Sequence, residues 1–327
     1  MSARTLRRPL IGAICSAMLA LGVMVGSAEA ASVPESPDPI RLAKYDWTGQ
    51  YVTIEVAAEI LRRMGYNVEV VQTTQVPSLQ AISDGEITAS LEWWNQANKA
   101  IYDKAVDEKK IDPLGPTGLV GSEGWYYPTY ITEKCPGLPD WQALQKCADI
   151  FATPETSPKG RVLDYPAEWN PDAQKWIDAL GLNLVAVASG GEGATAAEIK
   201  SAVARQEPIL LQWWEPTWLV SEFKLNIVKL DTDGTACAKA NEAKVETTKM
   251  FDCAGKQIGI VKYVWPGTKD KWPAAYKFLQ VYQMTNDWQG PMAKAIEIEG
   301  KKVEDVAKAW VDANEATWKP WVEQATK

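Results

Sequence analysis

Hydrophobic positions change period repeatedly along the chain, and each change predicts an element. Ile40 to Tyr45 is an apolar run of strand length, and Gly49 to Gly65 carries apolar residues at helical spacing with a glycine at its end. Asn67 to Val71 predicts a strand, Val76 to Asp84 a helix, and Ile87 to Trp93 a strand that ends in aromatic residues. Strands separated by helices predict a mostly parallel sheet. Ligands of such sheets sit at the strand carboxyl ends.

A second series starts near Thr129. It predicts helix Leu138 to Lys146, strand Ile150 to Ala152, helix Pro171 to Leu180, strand Leu184 to Ala188, helix Thr195 to Arg205 and strand Ile209 to Trp213. The chain then passes Asn226 to Leu230 and a cysteine-bracketed polar segment. Strand Ile258 to Val264 follows, with helices Trp272 to Thr285, Pro291 to Ile296 and Val303 to Glu323. There is no fixed-period repeat and no Gly/Ser tether. Two α/β series in 327 residues predict two lobes, because single cores stop growing near this length, with the ligand cleft between them.

Residues 1–30 read as a cleaved signal peptide: Arg4, Arg7 and Arg8 precede an apolar run from Leu10 to Val25, and Ala28-Glu29-Ala30 is a small-x-small cleavage site. The run is shorter than the roughly 20 residues that span a bilayer. Cys15 follows Ala13-Ile14 and lacks the small residue that lipid attachment requires immediately before it, so a free soluble exported protein is expected. Loss of the leader removes three basic residues and one acid, taking the net charge from −8 to −10 and disfavouring nucleic acid. Cys135, Cys147, Cys237 and Cys253 remain. In an oxidising compartment, proximity favours the pairs Cys135–Cys147 and Cys237–Cys253, and the C-x-x-C spacing of a zinc site is missing.

The chain has no histidine, which excludes Ser-His-Asp and Cys-His nucleophiles, a histidine base and histidine-containing metal sites. It has 16 Trp against 4 Phe, although Phe packs as well without an N–H to satisfy. Trp47, Trp94, Trp169 and Trp214 fall at predicted strand ends or helix starts. Indole faces attract a cation by roughly 0.5–2 kcal/mol each when desolvated, so several together select a methylated ammonium. Trp141, Trp176, Trp272, Trp288, Trp310, Trp318 and Trp321 lie in or beside helical patterns and are expected to pack. For Trp93, Trp125, Trp213 and Trp218 both roles stay open, since neighbouring strand residues face opposite sides.

Glu92, Glu123, Glu168 and Glu215 adjoin these clusters, so a secreted Trp-rich carbohydrate-binding protein or glycoside hydrolase is the alternative reading. The simpler reading leaves most of them solvated or ion-paired, with one facing a ligand. Ser189-Gly190-Gly191-Glu192 precedes a helix but lacks the Lys-Ser/Thr of a nucleotide loop.

Gly85-Glu86-Ile87-Thr88-Ala89-Ser90-Leu91-Glu92-Trp93-Trp94, Pro166-Ala167-Glu168-Trp169, Pro208 to Trp218 with its Trp214-x-Pro216-x-Trp218 core, and the Trp310 to Val322 segment resemble the substrate-binding proteins of glycine betaine/proline betaine-type ABC importers. The resemblance spans the chain after the leader. It implies a two-lobed periplasmic binding protein of type II, α/β, each lobe a mostly parallel sheet flanked by helices, with residues 31–127 and 229–327 in one lobe and 128–228 in the other. It also implies no catalysis and no cofactor, an inner-membrane permease as partner, and a monomer that closes over a small methylated amine. Trp94, Trp169 and Trp214 would form the cage. Trp47 would be a fourth wall, as in the choline- and trimethylamine N-oxide-binding branches, with Glu123, then Asp46, as the acid near the ligand head. Betaine binders often place Gly and Cys N–H donors directly after the middle Trp. Here Trp169 is followed by Asn170-Pro171-Asp172, and Asp46-Trp47-Thr48-Gly49-Gln50 looks closer to the trimethylamine N-oxide branch.

Overall fold

The computed structural model describes residues 33–94, 98–247, 250, 253 and 258–327 besides Met1, so the leader reading and Cys15 lie outside the described residues. The first series is β1 (Ile40–Lys44), α1 (Thr48–Arg63), β2 (Val68–Gln72), α2 (Gln75–Ser83), β3 (Ala89–Trp94), α3 (Lys99–Asp107) and β4 (Asp112–Pro128). The second is α4 (Ile131–Lys134), β5 (Pro136–Pro139), α5 (Leu144–Cys147), β6 (Gly160–Asp164), α6 (Ala173–Leu180), β7 (Leu184–Ala188), α7 (Glu192–Arg205), β8 (Leu211–Glu215), α8 (Trp218–Glu222), β9 (Leu225–Ile227) and α9 (Thr235–Glu242). The chain ends with β10 (Ile258–Val264), α10 (Thr268–Lys271), α11 (Pro273–Val281), α12 (Asn286–Glu297), α13 (Val303–Ala313) and α14 (Glu315–Ala325).

The strands make two half-sheets with one topology. β1 lies parallel to β2 and β3, and β10 runs antiparallel between β3 and β4, giving the order β2-β1-β3-β10-β4. β6 lies parallel to β7 and β8, and β4 runs antiparallel between β8 and β9, giving β7-β6-β8-β4-β9. β4 therefore serves twice. Its residues from Asp112 to Gly121 pair with β10, and those from Ser122 to Pro128 pair with β8 and β9. The parallel expectation holds for the strands joined by helices. Antiparallel pairing appears where a long strand passes through the sheet and no crossover is needed.

The sequence pattern misses or misplaces several elements for local reasons. β4 has no clean alternation because Pro113, Gly115, Pro116, Gly118, Gly121 and Gly124 interrupt it, and its pairing with β10 shifts register twice to absorb them. The strand expected at Ile150 to Ala152 is instead a 3-10 turn over Ala148–Phe151. The strand forms later, at Gly160, where a Cβ would stand 1.9 Å from the Ala148 carbonyl oxygen. The helix expected from Leu138 starts late because Pro136–Pro139 is extended. The terminal helix breaks at Asn314 into α13 and α14.

One apolar cluster holds Ile40, Leu42, Ile54, Leu91, Ile260, Phe278 and Val311, and a second holds Trp125, Tyr127, Trp141, Trp176, Leu184 and Leu210. The helical Trp residues pack as expected: Trp141, Trp176, Trp272 and Trp318 are buried, while Trp288 lies 5.3 Å from Trp310 and 6.5 Å from Trp321 between ring centroids. Both disulfides form as proximity suggested, with Cα separations of 5.5 Å for Cys135–Cys147 and 5.3 Å for Cys237–Cys253. Among the described residues no helix is long and apolar enough to cross a membrane.

Cys135 and Cys147 are buried beside Leu138 and Trp141 in the second cluster, whose elements here are short helical turns around β5. The double variant Cys135→Ser, Cys147→Ser is expected to lose about 2–3 kcal/mol of stability in urea unfolding, the usual effect of opening a loop of this size.

Candidate functional site

Trp47 is the residue before α1, directly after β1, and Trp94 is the last residue of β3. Trp169 ends a 3-10 turn over Ala167–Trp169 just past β6, and Trp214 lies near the end of β8. All four thus stand at strand carboxyl ends, two from each half-sheet. Together with Asp46 and Glu123 they line one cavity of about 610 Å³, counting its mouth. All six residues singled out in the sequence meet there. Among the described residues, Thr74, Gln75, Val76, Asn98, Tyr165 and Glu168 also line it.

The open pairs resolve in different ways. Trp93 is fully buried against Tyr102 and Tyr263, while its neighbour Trp94 reaches the cavity. Trp213 stacks behind Trp214 at 4.2 Å and donates to Thr217 Oγ1 at 2.9 Å. Trp125 belongs to the second core. Trp218 borders a smaller cavity behind the cage, beside Trp47, Glu92, Glu192 and Gln289.

The walls meet as corners. Trp47 and Trp169 are 5.7 Å apart at 74°, and Trp169 and Trp214 are 5.4 Å apart at 71°. Edge-to-face contact suits the ring quadrupole and turns successive faces toward a shared space. Gly121 on β4 makes room for Trp94, since a Cβ there would lie 2.5 Å from the indole ring.

Carboxylates grip the N–H edges of three walls. Glu92 Oε1 accepts from Trp47 Nε1 at 2.9 Å and Trp94 Nε1 at 3.2 Å, and its Oε2 accepts from Thr53 Oγ1 at 2.8 Å and Gln289 Nε2 at 3.0 Å. Burial raises the pKa of Glu92 and these donors pull it back. Asp46 places both oxygens on Trp169 Nε1, at 2.9 and 3.1 Å. Glu123 sits opposite Trp214 in the β4–β8 pairing and so on the same side of the sheet.

Two residues escaped the sequence reading. The sequence groups Glu92 with Glu123, Glu168 and Glu215 as mostly solvated or ion-paired acids with one facing a ligand; the structure buries it, and the signal is strand period 2, which puts Ser90, Glu92 and Trp94 on one face. Tyr165 packs 5.8 Å from Trp169 and 5.7 Å from Trp214. Its buried hydroxyl has no hydrogen-bond partner among the described residues. Burial, and next the nearby Glu123, hold its pKa well above the usual tyrosine value, so it remains a donor.

Contacts across the cleft join the half-sheets. Thr48 N–H, in the first turn of α1, donates to Glu192 Oε2 at 2.8 Å, an anion at a helix N-terminus. Lys294 pairs with Glu222 at 2.7 Å across the same cleft, while Thr48 Oγ1 donates to Glu297 within its own half. The glycine loop before α7 thus presents its own carboxylate rather than an anion site. Burial pushes Glu192 up to about 7 against the ordinary 4.5, with Glu297 adding to the rise. Asp46, Glu123 and Glu168 line the main cavity and no Lys or Arg does among the described residues. No group of three or more His, Cys, Asp or Glu there could hold a metal ion. Four indole faces and acidic polar groups suit a small methylated cation or dipole.

Because folded Glu192 keeps its proton up to a higher pH than the unfolded chain, stability from this group is greatest below about 4.5 and falls as pH rises toward about 7. Glu192→Gln should flatten that decline by up to about 3 kcal/mol in unfolding measured between those limits.

The family model described as the substrate binding domain of ABC-type glycine betaine transport system matches residues 38–313. The trimethylamine N-oxide-binding protein of Pelagibacter ubique is 29% identical over 317 residues, covering 94% of this chain and 98% of that protein. An ABC-transporter choline-binding protein, solved in complex with choline, is similar at a TM-score of 0.69 and 18% identity, covering 89% of this chain and 93% of its own. The lactococcal glycine betaine-binding protein, solved closed and liganded, matches at 0.65 and 18%, covering 87% and 99%. The fold is therefore that of the type II periplasmic binding proteins. The chain belongs to the family of substrate-binding domains of ABC-type glycine betaine transport systems.

Proposed function

We propose that this chain, as a periplasmic monomer freed of residues 1–30, captures trimethylamine N-oxide in the Trp47, Trp94, Trp169 and Trp214 box and hands it to an inner-membrane permease. It is the solute-binding component of an ABC transporter for betaine, choline or N-oxide ligands and not an enzyme; family membership leaves the carbohydrate alternatives without support. The observation that carries the choice of ligand is a cage whose polar lining is acidic. A betaine carboxylate would face Asp46, Glu123 and Glu168 with no cation to offset them. An N-oxide brings a positive nitrogen for the indole faces and an oxygen that needs only a donor. Tyr165 is the donor we assign to that oxygen, and Glu123 faces the nitrogen end. The two half-sheets support a division into residues 31–127 and 229–327 as one lobe and 128–228 as the other, closing over the ligand.

Isothermal titration of residues 31–327 with trimethylamine N-oxide, choline, glycine betaine, carnitine and a neutral sugar is the test. Trimethylamine N-oxide should bind most tightly, and Trp214→Ala should abolish measurable heat while circular dichroism shows a retained fold. Tightest binding of glycine betaine would move the assignment to betaines, and silence from all four amines would overturn it. Tyr165→Phe should weaken trimethylamine N-oxide roughly three- to tenfold, the worth of one hydrogen bond, and leave tetramethylammonium unchanged.

A further inference from the structure

The indoles of this protein differ in what their N–H meets. Trp93, Trp125, Trp141, Trp176 and Trp272, which pack in the core, have buried N–H groups with no partner among the described residues. Trp47, Trp94 and Trp169, which wall the cavity, each donate to a carboxylate. The chain leaves some indole donors unpaired in packing positions, although Trp213 and Trp318 find oxygens there, so an indole wall does not by itself require an acid.

Glu92 is the central case. It is 1% exposed, and all four of its partners donate to it. Gln289 Nε2 also donates to the Gly49 carbonyl at 3.0 Å, which fixes the amide with its nitrogen toward Glu92. Gly49 permits this approach, since a Cβ there would lie 2.9 Å from Gln289 Oε1. An anion at the positive N–H edge of an indole pushes π density toward the face, and its own charge reaches across a poorly screened interior. Both effects make the cavity side of Trp47 and Trp94 more attractive to positive charge.

We infer that Glu92 is a specificity-determining positioning residue: through Trp47 and Trp94 it orients two cage walls and biases them toward a positively charged head over a neutral one of the same shape. This rests on the methylated-amine reading of the cavity. Asp46 plays the corresponding part at Trp169. A purely structural Glu92, stitching β3 to α1 and α12, would leave charge discrimination unchanged.

Trimethylamine N-oxide and tert-butanol, its neutral carbon isostere, are titrated against residues 31–327 of the wild type and Glu92→Gln by tryptophan fluorescence, with thermal unfolding recorded in parallel. The ratio of the two affinities is expected to fall about fivefold in the variant, whatever its stability. Equal weakening of both ligands, or no change in either, overturns the inference. Should Glu92→Gln not fold, 3-benzothienylalanine at Trp94 removes the N–H and keeps the face; the same fall in ratio is expected, and an unchanged ratio overturns the inference. Failure of the wild type to bind any methylated amine is a separate result that removes the ligand reading itself.

Discussion

Everything at the cleft depends on a carboxylate kept out of water. Glu92 could not remain inside this core unaided, since an isolated buried charge costs several kcal/mol after relaxation, and the cost is offset by four donors that arrive from three elements. Trp47 and Thr53 come with α1, Trp94 with β3 itself and Gln289 with α12. Seating the acid thus requires the helices to dock in one register, and docking in that register sets the angle of two indole walls. Gly49 and Gly121 follow from the same demand: one clears space for the Gln289 amide, the other for the Trp94 ring.

The far half-sheet solves its own geometry differently. Trp214 is held by the stacked Trp213 and by register with Glu123, and Trp169 is held by an acid that belongs to the opposite half, Asp46. The cavity is therefore complete only when both halves are in contact. Thr48 reinforces that contact by turning its backbone N–H to Glu192, while its hydroxyl donates to Glu297 on its own side.

Much of this was legible in the chain. Strands with simple apolar runs, β1, β2, β3, β7 and β10, fell close to where their pattern put them, and the six site residues converge because Trp at a strand end has few places to point. What the pattern hid was long-range. β4 is held by partners on both sides, which lets it carry prolines and glycines that would disqualify an isolated strand. Glu92 reads as an ordinary surface acid until its neighbours in space are known, although its place two residues before Trp94 already set it on the cavity face. Tyr165 was visible only as part of a Trp motif, because no local feature shows that a hydroxyl will lack a partner.

Joint use of β4 has a consequence for the molecule as a whole. The strand is an edge of one half-sheet and an interior member of the other, so neither half is complete if the chain is cut on either side of it. Pulling β4 out removes partners from β10, β8 and β9 at once. The backbone near Gly121 and Ser122 passes from one half to the other, so the two halves cannot melt independently. Cooperativity in unfolding then resides in that one stretch of backbone.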